Sequence, residues 1–79
     1  MPVVELKLWD VRWMGPREIG GVTLSAPDPH TAAERCLMFQ QPGIGTFEIA
    51  VVLVDSDPAE LYRYRAAGRE GILYQVDPI

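Results

Sequence analysis

The stretch SAPDPHTAAERC, residues 25–36, holds the chain's one histidine and one cysteine beside Ser25, Asp28 and Glu34. These are the residue types from which a nucleophile and its general base are built. A Cys–His pair works only when the two side chains come within hydrogen-bond reach. On a helix His30 and Cys36 stand six positions apart and point away from each other, so they cannot pair locally. His30 and Glu34 do share a helical face, but a zinc-protease helix needs two histidines four apart. Ser25 and Asp28 have a simpler use as loop and capping residues. The expectation is a protein with no catalytic residue, in which Cys36 is a small core residue.

Two other stretches invite a ligand. In DSDPAE, Asp55, Asp57 and Glu60 offer oxygen ligands for calcium or magnesium, but the further ligands and the glycine of an EF-hand loop are missing. A hairpin turn with a capping aspartate explains them, and no metal is expected. PGIGTF carries a lone G-x-G after a helix, whereas dinucleotide sites place theirs between strand and helix, so no cofactor is expected.

ELYRYRAAGRE, residues 60–70, gathers three of the seven basic residues and two of the three tyrosines. A reader of single-stranded nucleic acid needs aromatic and basic groups on one surface, so that bases stack while phosphates are neutralised. In a strand the alternation sends Tyr62 and Tyr64 to one face and Arg63 and Arg65 to the other. The net charge of -4 also opposes general affinity for nucleic acid or an anionic membrane.

The elements that position these residues follow from periodicity. Residues 3–13 are strand-like, but Val4, Leu6 and Leu8 share one parity and Trp9, Val11 and Trp13 the other, which predicts a bulge or bend near Leu8 and Trp9. A turn at Met14-Gly15-Pro16-Arg17 leads to a strand over 19–26, with a kink expected at Gly20-Gly21. A helix follows, capped by Asp28, with Pro29 in its first turn and Pro42-Gly43 at its end. Its buried stripe is Ala32, Ala33, Cys36, Leu37 and either Phe39 or Gln40. A β-branched strand covers 47–54.

Residues 58–67 read either as a helix started by Asp57-Pro58 and stopped at Gly68, or as a strand. Pairing favours the strand. With Val54 opposite Ala59, Tyr62 meets Val51, Tyr64 meets Ile49 and Ala66 meets Phe47 on one face, while Arg65 meets Glu48 on the other. A three-residue loop at Arg69-Glu70-Gly71 then sets Tyr74 opposite Ala66 and Val76 opposite Tyr64. The predicted fold is α+β, β-β-α-β-β-β, an antiparallel sheet of about five strands with one helix on one face; the alternative order is β-β-α-β-α-β. Residues 1–79 are expected to form one small domain. A single cysteine excludes an internal disulfide, and the longest apolar run, residues 49–54, falls short of the ~20 residues of a membrane span. With no signal-peptide pattern at the start, a cytoplasmic protein is expected.

IAVVLV, residues 49–54, is apolar at both parities, and strands of that kind are normally buried on both faces. One helix covers one face. With the tyrosine face beneath it, Ala50, Val52, Val54, Leu61 and Leu73 have no cover, and Arg63 and Arg65 form a polar rim. The expected function is a non-enzymatic protein-interaction module, self-associating or an accessory subunit, using that apolar sheet face. The alternatives are a small acidic inhibitor docking on a basic enzyme surface, and a weak nucleic-acid binder acting through Arg63, Arg65 and Arg69.

Overall fold

The computed structural model describes residues 5–15, 18–41, 45–69 and 73–79, with backbone alone at 69 and 73. Among them the order is β1 (Lys7–Met14), β2 (Ile19–Ala26), α1 (Pro29–Gln40), β3 (Gly45–Leu53), β4 (Leu61–Arg69) and β5 (Leu73–Pro78). One antiparallel sheet joins the strands in the order β2-β1-β3-β4-β5. This is the expected α+β arrangement. The ambiguous segment is a strand, because its period-two alternation lets Tyr64 and Ala66 enter the core while Arg63 and Arg65 remain in water.

The core lies between α1 and one face of the sheet. Trp9, Val11 and Trp13 of β1 point there with Phe47, Ile49 and Val51 of β3, all at 6% exposure or less. From the helix come Ala32, Ala33, Cys36 and Leu37, the expected stripe. Phe39 is not part of it. At 83% exposure it points into solvent, and Gln40 takes the sheet-facing position instead. Three residues separate Phe39 from Cys36, a rotation that carries it off a stripe this narrow.

Asp28 caps α1: one carboxylate oxygen accepts the Thr31 N–H at 2.7 Å and the other the Thr31 hydroxyl at 3.0 Å. The amide hydrogen bond holds the Asp28 carboxyl below its ordinary value. At the other end Gln41 adopts a left-handed conformation, φ 46°, and its N–H returns to the Leu37 carbonyl. Pro42 and Gly43, expected to stop the helix, lie outside the described residues, as do Pro16 and Arg17 of the expected turn.

Several expectations about β1 and β2 need correction. Their ladder runs unbroken from Lys7 opposite Ala26 to Met14 opposite Ile19, with no bulge at Leu8 and Trp9, and Gly20 and Gly21 keep their places in it. The parity change has another cause. Leu6 and Leu8 are exposed apolar residues, and Leu8 belongs to the face that α1 does not cover, so no register shift is needed. Gly20 is a packing glycine: an added Cβ would sit 2.5 Å from the Trp13 ring opposite it.

The β3–β4 register is the predicted one, with Tyr62 opposite Val51, Tyr64 opposite Ile49 and Arg65 opposite Glu48. Its loop is wider than expected. Val54 does not face Ala59; the ladder ends at Val52 and Leu61, and the Val54 N–H goes to the Leu8 carbonyl at 3.0 Å. Asp55, at φ 64°, turns the chain, and the Ser56 hydroxyl clamps the loop by donating to the Leu53 carbonyl and accepting the Glu60 N–H. Between β4 and β5 the register is two residues from the expected one: Val76 faces Ala66 and Tyr74 faces Gly68. Arg69 pairs with Leu73 inside the ladder instead of opening the loop, and Glu70 and Gly71 are outside the described residues. A shift of two preserves every face, so the apolar pattern could not separate the registers. Gly68 stands directly opposite Tyr74, whose ring lies 6.4 Å from that of Phe47.

Because Trp13 is pinned on its far side by Phe47, it cannot yield to a methyl at position 20. Gly20→Ala is expected to destabilise the fold by about 1–3 kcal/mol, the usual result of overpacking. Urea denaturation checks this; an unchanged midpoint would mean that the ring moves freely.

Candidate protein-interaction surface

Strand alternation assigns the uncovered face of the three central strands. Leu8, Asp10, Arg12 and Met14 come from β1, Glu48, Ala50 and Val52 from β3, and Leu61, Arg63 and Arg65 from β4. Cross-strand pairing turns them into rows. Asp10, Val52 and Leu61 form one; Arg12, Ala50 and Arg63 the next; Met14, Glu48, Arg65 and Asp77 a third.

The predicted interface residues stand as follows. Ala50 and Val52 are half-buried at the centre of this face, and Leu61 beside them is 51% exposed. Val54, one residue past the end of β3, is half-buried. Arg63 and Arg65 are exposed on the same face as Ala50 and Val52. Leu73 pairs with Arg69 through its backbone; its side chain lies outside the described residues, as does that of Arg69. The face also holds residues that sequence reasoning missed. Leu8, Met14, Ile19 and Ile79 are all exposed. Leu8 carries a signal, its parity with Leu6, but that parity fits a bulge equally well. Ile79 carries none.

Ala50 floors an open depression of about 460 Å³ whose walls include Arg12, Met14, Glu48, Arg63, Arg65 and Ile79. Three guanidinium groups and one carboxylate line it, giving a basic patch on a chain of net charge -4. Arg12 pairs with Asp10 at 3.8 Å, an exposed contact worth little in water. Glu48 and Arg65 stand directly opposite, as expected, without closing an ion pair. The tyrosines are elsewhere: Tyr64 is buried under α1, and Tyr62 sits edge-on to Trp9 at 6.1 Å. Among the described residues the arginine face has no aromatic ring on which a base would stack.

The residues with chemical potential are dispersed. Cys36 is fully buried between helix and sheet, and burial pushes its thiol up to about 11. His30 hydrogen-bonds to the Val76 carbonyl at 2.9 Å and reaches Glu34 with its other ring nitrogen at 2.9 Å. Asp28 caps the helix, and Ser25 lies on the sheet's open side, exposed, opposite Leu8. Among the described residues no three His, Cys, Asp or Glu side chains converge as metal ligands would.

No family model, no curated protein and no solved structure matches this chain.

Burial of Cys36 sets two linked outcomes. Thiol reagent at pH 8 labels it only through opening of the native state, so labelling is slow without denaturant and rapid with it. The folded thiol titrates near 11 against an ordinary 9.0, so the unfolded chain releases this proton first as pH rises. The stability linked to Cys36 is whole below pH 9 and is lost between 9 and about 11. Cys36→Ala should flatten that decline in alkaline denaturation curves. Rapid stoichiometric labelling of the native protein would contradict both.

Proposed function

We propose that the chain is a non-catalytic protein-interaction module, an accessory subunit that docks onto another protein through the uncovered face of its sheet. The observation that carries this is the face itself. Apolar residues on it run from Leu8 through Val52 to Leu61, with α1 on the opposite side of the sheet. Bare apolar surface of this kind marks interaction sites in folded proteins and is an aggregation hazard otherwise. Arg12, Arg63 and Arg65 beside Asp10 and Glu48 make the face more polar than the core of an obligate homodimer. That mixture fits a partner protein with its own apolar patch and acidic rim.

The same geometry weakens the other readings. An acidic mimic needs its carboxylates together, and here Asp10, Glu48 and Asp77 alternate with arginines. Nucleic-acid binding would rest on charge without stacking. The buried Cys36 and the engaged His30 support a non-catalytic role. No described helix is long and apolar enough to cross a membrane. A lone buried thiol fits the reducing cytoplasm, which we propose as the compartment.

With the purified chain as bait in extract of its native host, Val52→Asp and Leu61→Asp should both lose the partner that the wild type retains. Circular dichroism should show helix and sheet intact. The expected weakening is at least about tenfold, or 1.4 kcal/mol. Phe39→Ser, on the helix side, should keep the partner. Equal retention by both open-face variants would contradict the proposal.

A further inference from the structure

The sheet has two edges, and they are unlike. β5 is six residues long and carries Asp77 and Pro78, a charge and a residue that cannot donate to a ladder. Those are the usual devices that stop an edge strand from pairing with another chain. β2 has none of them. Its eight residues, IGGVTLSA, contain no charge and no proline, and its ladder with β1 has no bulge.

Helix side chains reveal which backbone groups of β2 look outward. The Gly21 carbonyl accepts from Gln40 Nε2 at 2.9 Å, and the Ser25 carbonyl accepts from Arg35 at 3.0 Å. Because alternate residues of a strand turn their N–H and C=O to the same side, Gly21, Thr23 and Ser25 all present both groups to the sheet's outer edge. The large apolar residues nearest this edge are also its most exposed. Phe39 is 83% accessible and Met38 68% on the helix side, and Ile19 is 78% accessible on the other. Between α1 and β2 runs an apolar groove of about 480 Å³, lined by Val22, Thr23, Leu24, Arg35, Met38 and Phe39.

We propose that two copies of the chain join through β2, pairing antiparallel about a twofold axis at Thr23. This surface is distinct from the open face, and the proposal does not depend on how that face is used. The outward residues are spaced for such a symmetry. Thr23 of one copy faces Thr23 of the other, and Gly21 faces Ser25 in both directions, so each outward N–H meets an outward carbonyl. A carbonyl oxygen has two lone pairs, so the Gln40 and Arg35 bonds can persist beside the new ones. On the helix side Val22 of one copy stands opposite Leu24 of the other, and both are only half-buried in the single chain. Met38 and Phe39 of each copy overhang the groove at the joint. The strand being uncharged, a chain of net charge -4 meets its own copy with no like charges opposed in the ladder. The product is a ten-stranded sheet with both helices on one side and both open faces on the other.

An unbound extended peptide would need only the edge. A second copy also brings its own Val22, Leu24, Met38 and Phe39 to the joint, so the apolar groove beside β2 gains apolar cover that a bare strand would not give. Light scattering on the purified protein should give twice the 8.8 kDa chain mass. Thr23→Lys, which sets like charges face to face at the axis, and Phe39→Asp, on a side chain already in solvent, should each return the mass to that of one chain. Val52→Asp should leave the dimer intact. Thr23→Cys should form an intermolecular disulfide under mild oxidation, since directly paired Cα atoms lie about 5.5 Å apart; a cysteine at the exposed Thr46 should not. A wild type that stays monomeric at millimolar concentration would overturn the proposal. So would a dimer that survives both charge variants, or one that Val52→Asp dissociates.

Discussion

A helix of twelve residues can cover one face of this sheet, and the choice of face constrains everything else. The face beneath α1 holds both tryptophans, Phe47, Tyr64, Val11, Ile49 and Val51. Burying an aromatic side chain removes 150–250 Å² from water, which makes this the face where one helix gains most. The other face must then tolerate water. It does so by alternating aliphatic residues with arginines and carboxylates, whose charges stay in water. The rows across β1, β3 and β4 are the result of that compromise, and so is the surface available to a partner.

Gln40 ties the two layers together. Its Oε1 accepts from the Trp13 indole N–H while its Nε2 donates to the Gly21 carbonyl. The indole is buried, and its only donor would cost about 1–3 kcal/mol if left unpaired. Gly20 makes room for that indole on the neighbouring strand. At the other end of β1 the Trp9 indole N–H reaches the Ala26 carbonyl at 2.9 Å, just before the chain turns into α1. The two tryptophans therefore lock β2, β1 and the ends of the helix into one arrangement. Among the described residues no buried side-chain polar atom is left without a hydrogen bond.

Much of this was legible in the sequence, wherever one physical rule acted alone. Asp28, Pro29 and the Ala32–Leu37 stripe fixed the helix, since capping and 3.6-residue periodicity agree there. Opposing Arg65 to Glu48 and Tyr64 to Ile49 placed β4 correctly, because a short hairpin loop over residues 55–58 sets that register. Legibility failed where two arrangements satisfy the same pattern. A slide of two residues between β4 and β5 keeps every face, so the apolar pattern does not choose between the two registers. Leu8 misled because an apolar residue facing solvent looks the same as one shifted in phase. The open face was half-legible for the same reason: Ala50 and Val52 announced themselves through the two-sided apolar run, and Leu61 through its pairing with it. Arg12 and Met14 carry no such signal: one is a lone charge between apolar residues, and the other borders the Gly15-Pro16 turn signal.

The account stands on the open face being bare in the free chain. Solution NMR with a soluble paramagnetic agent reads that directly, residue by residue. The side-chain signals of Leu8, Met14 and Leu61 should be strongly attenuated, while those of Val11, Leu37 and Val51, buried on the other side, should persist. Pairing through β2 leaves this outcome unchanged. Protection of Leu8, Met14 and Leu61 to the level of Val51 would show that the chain covers the face itself, and the account would fail.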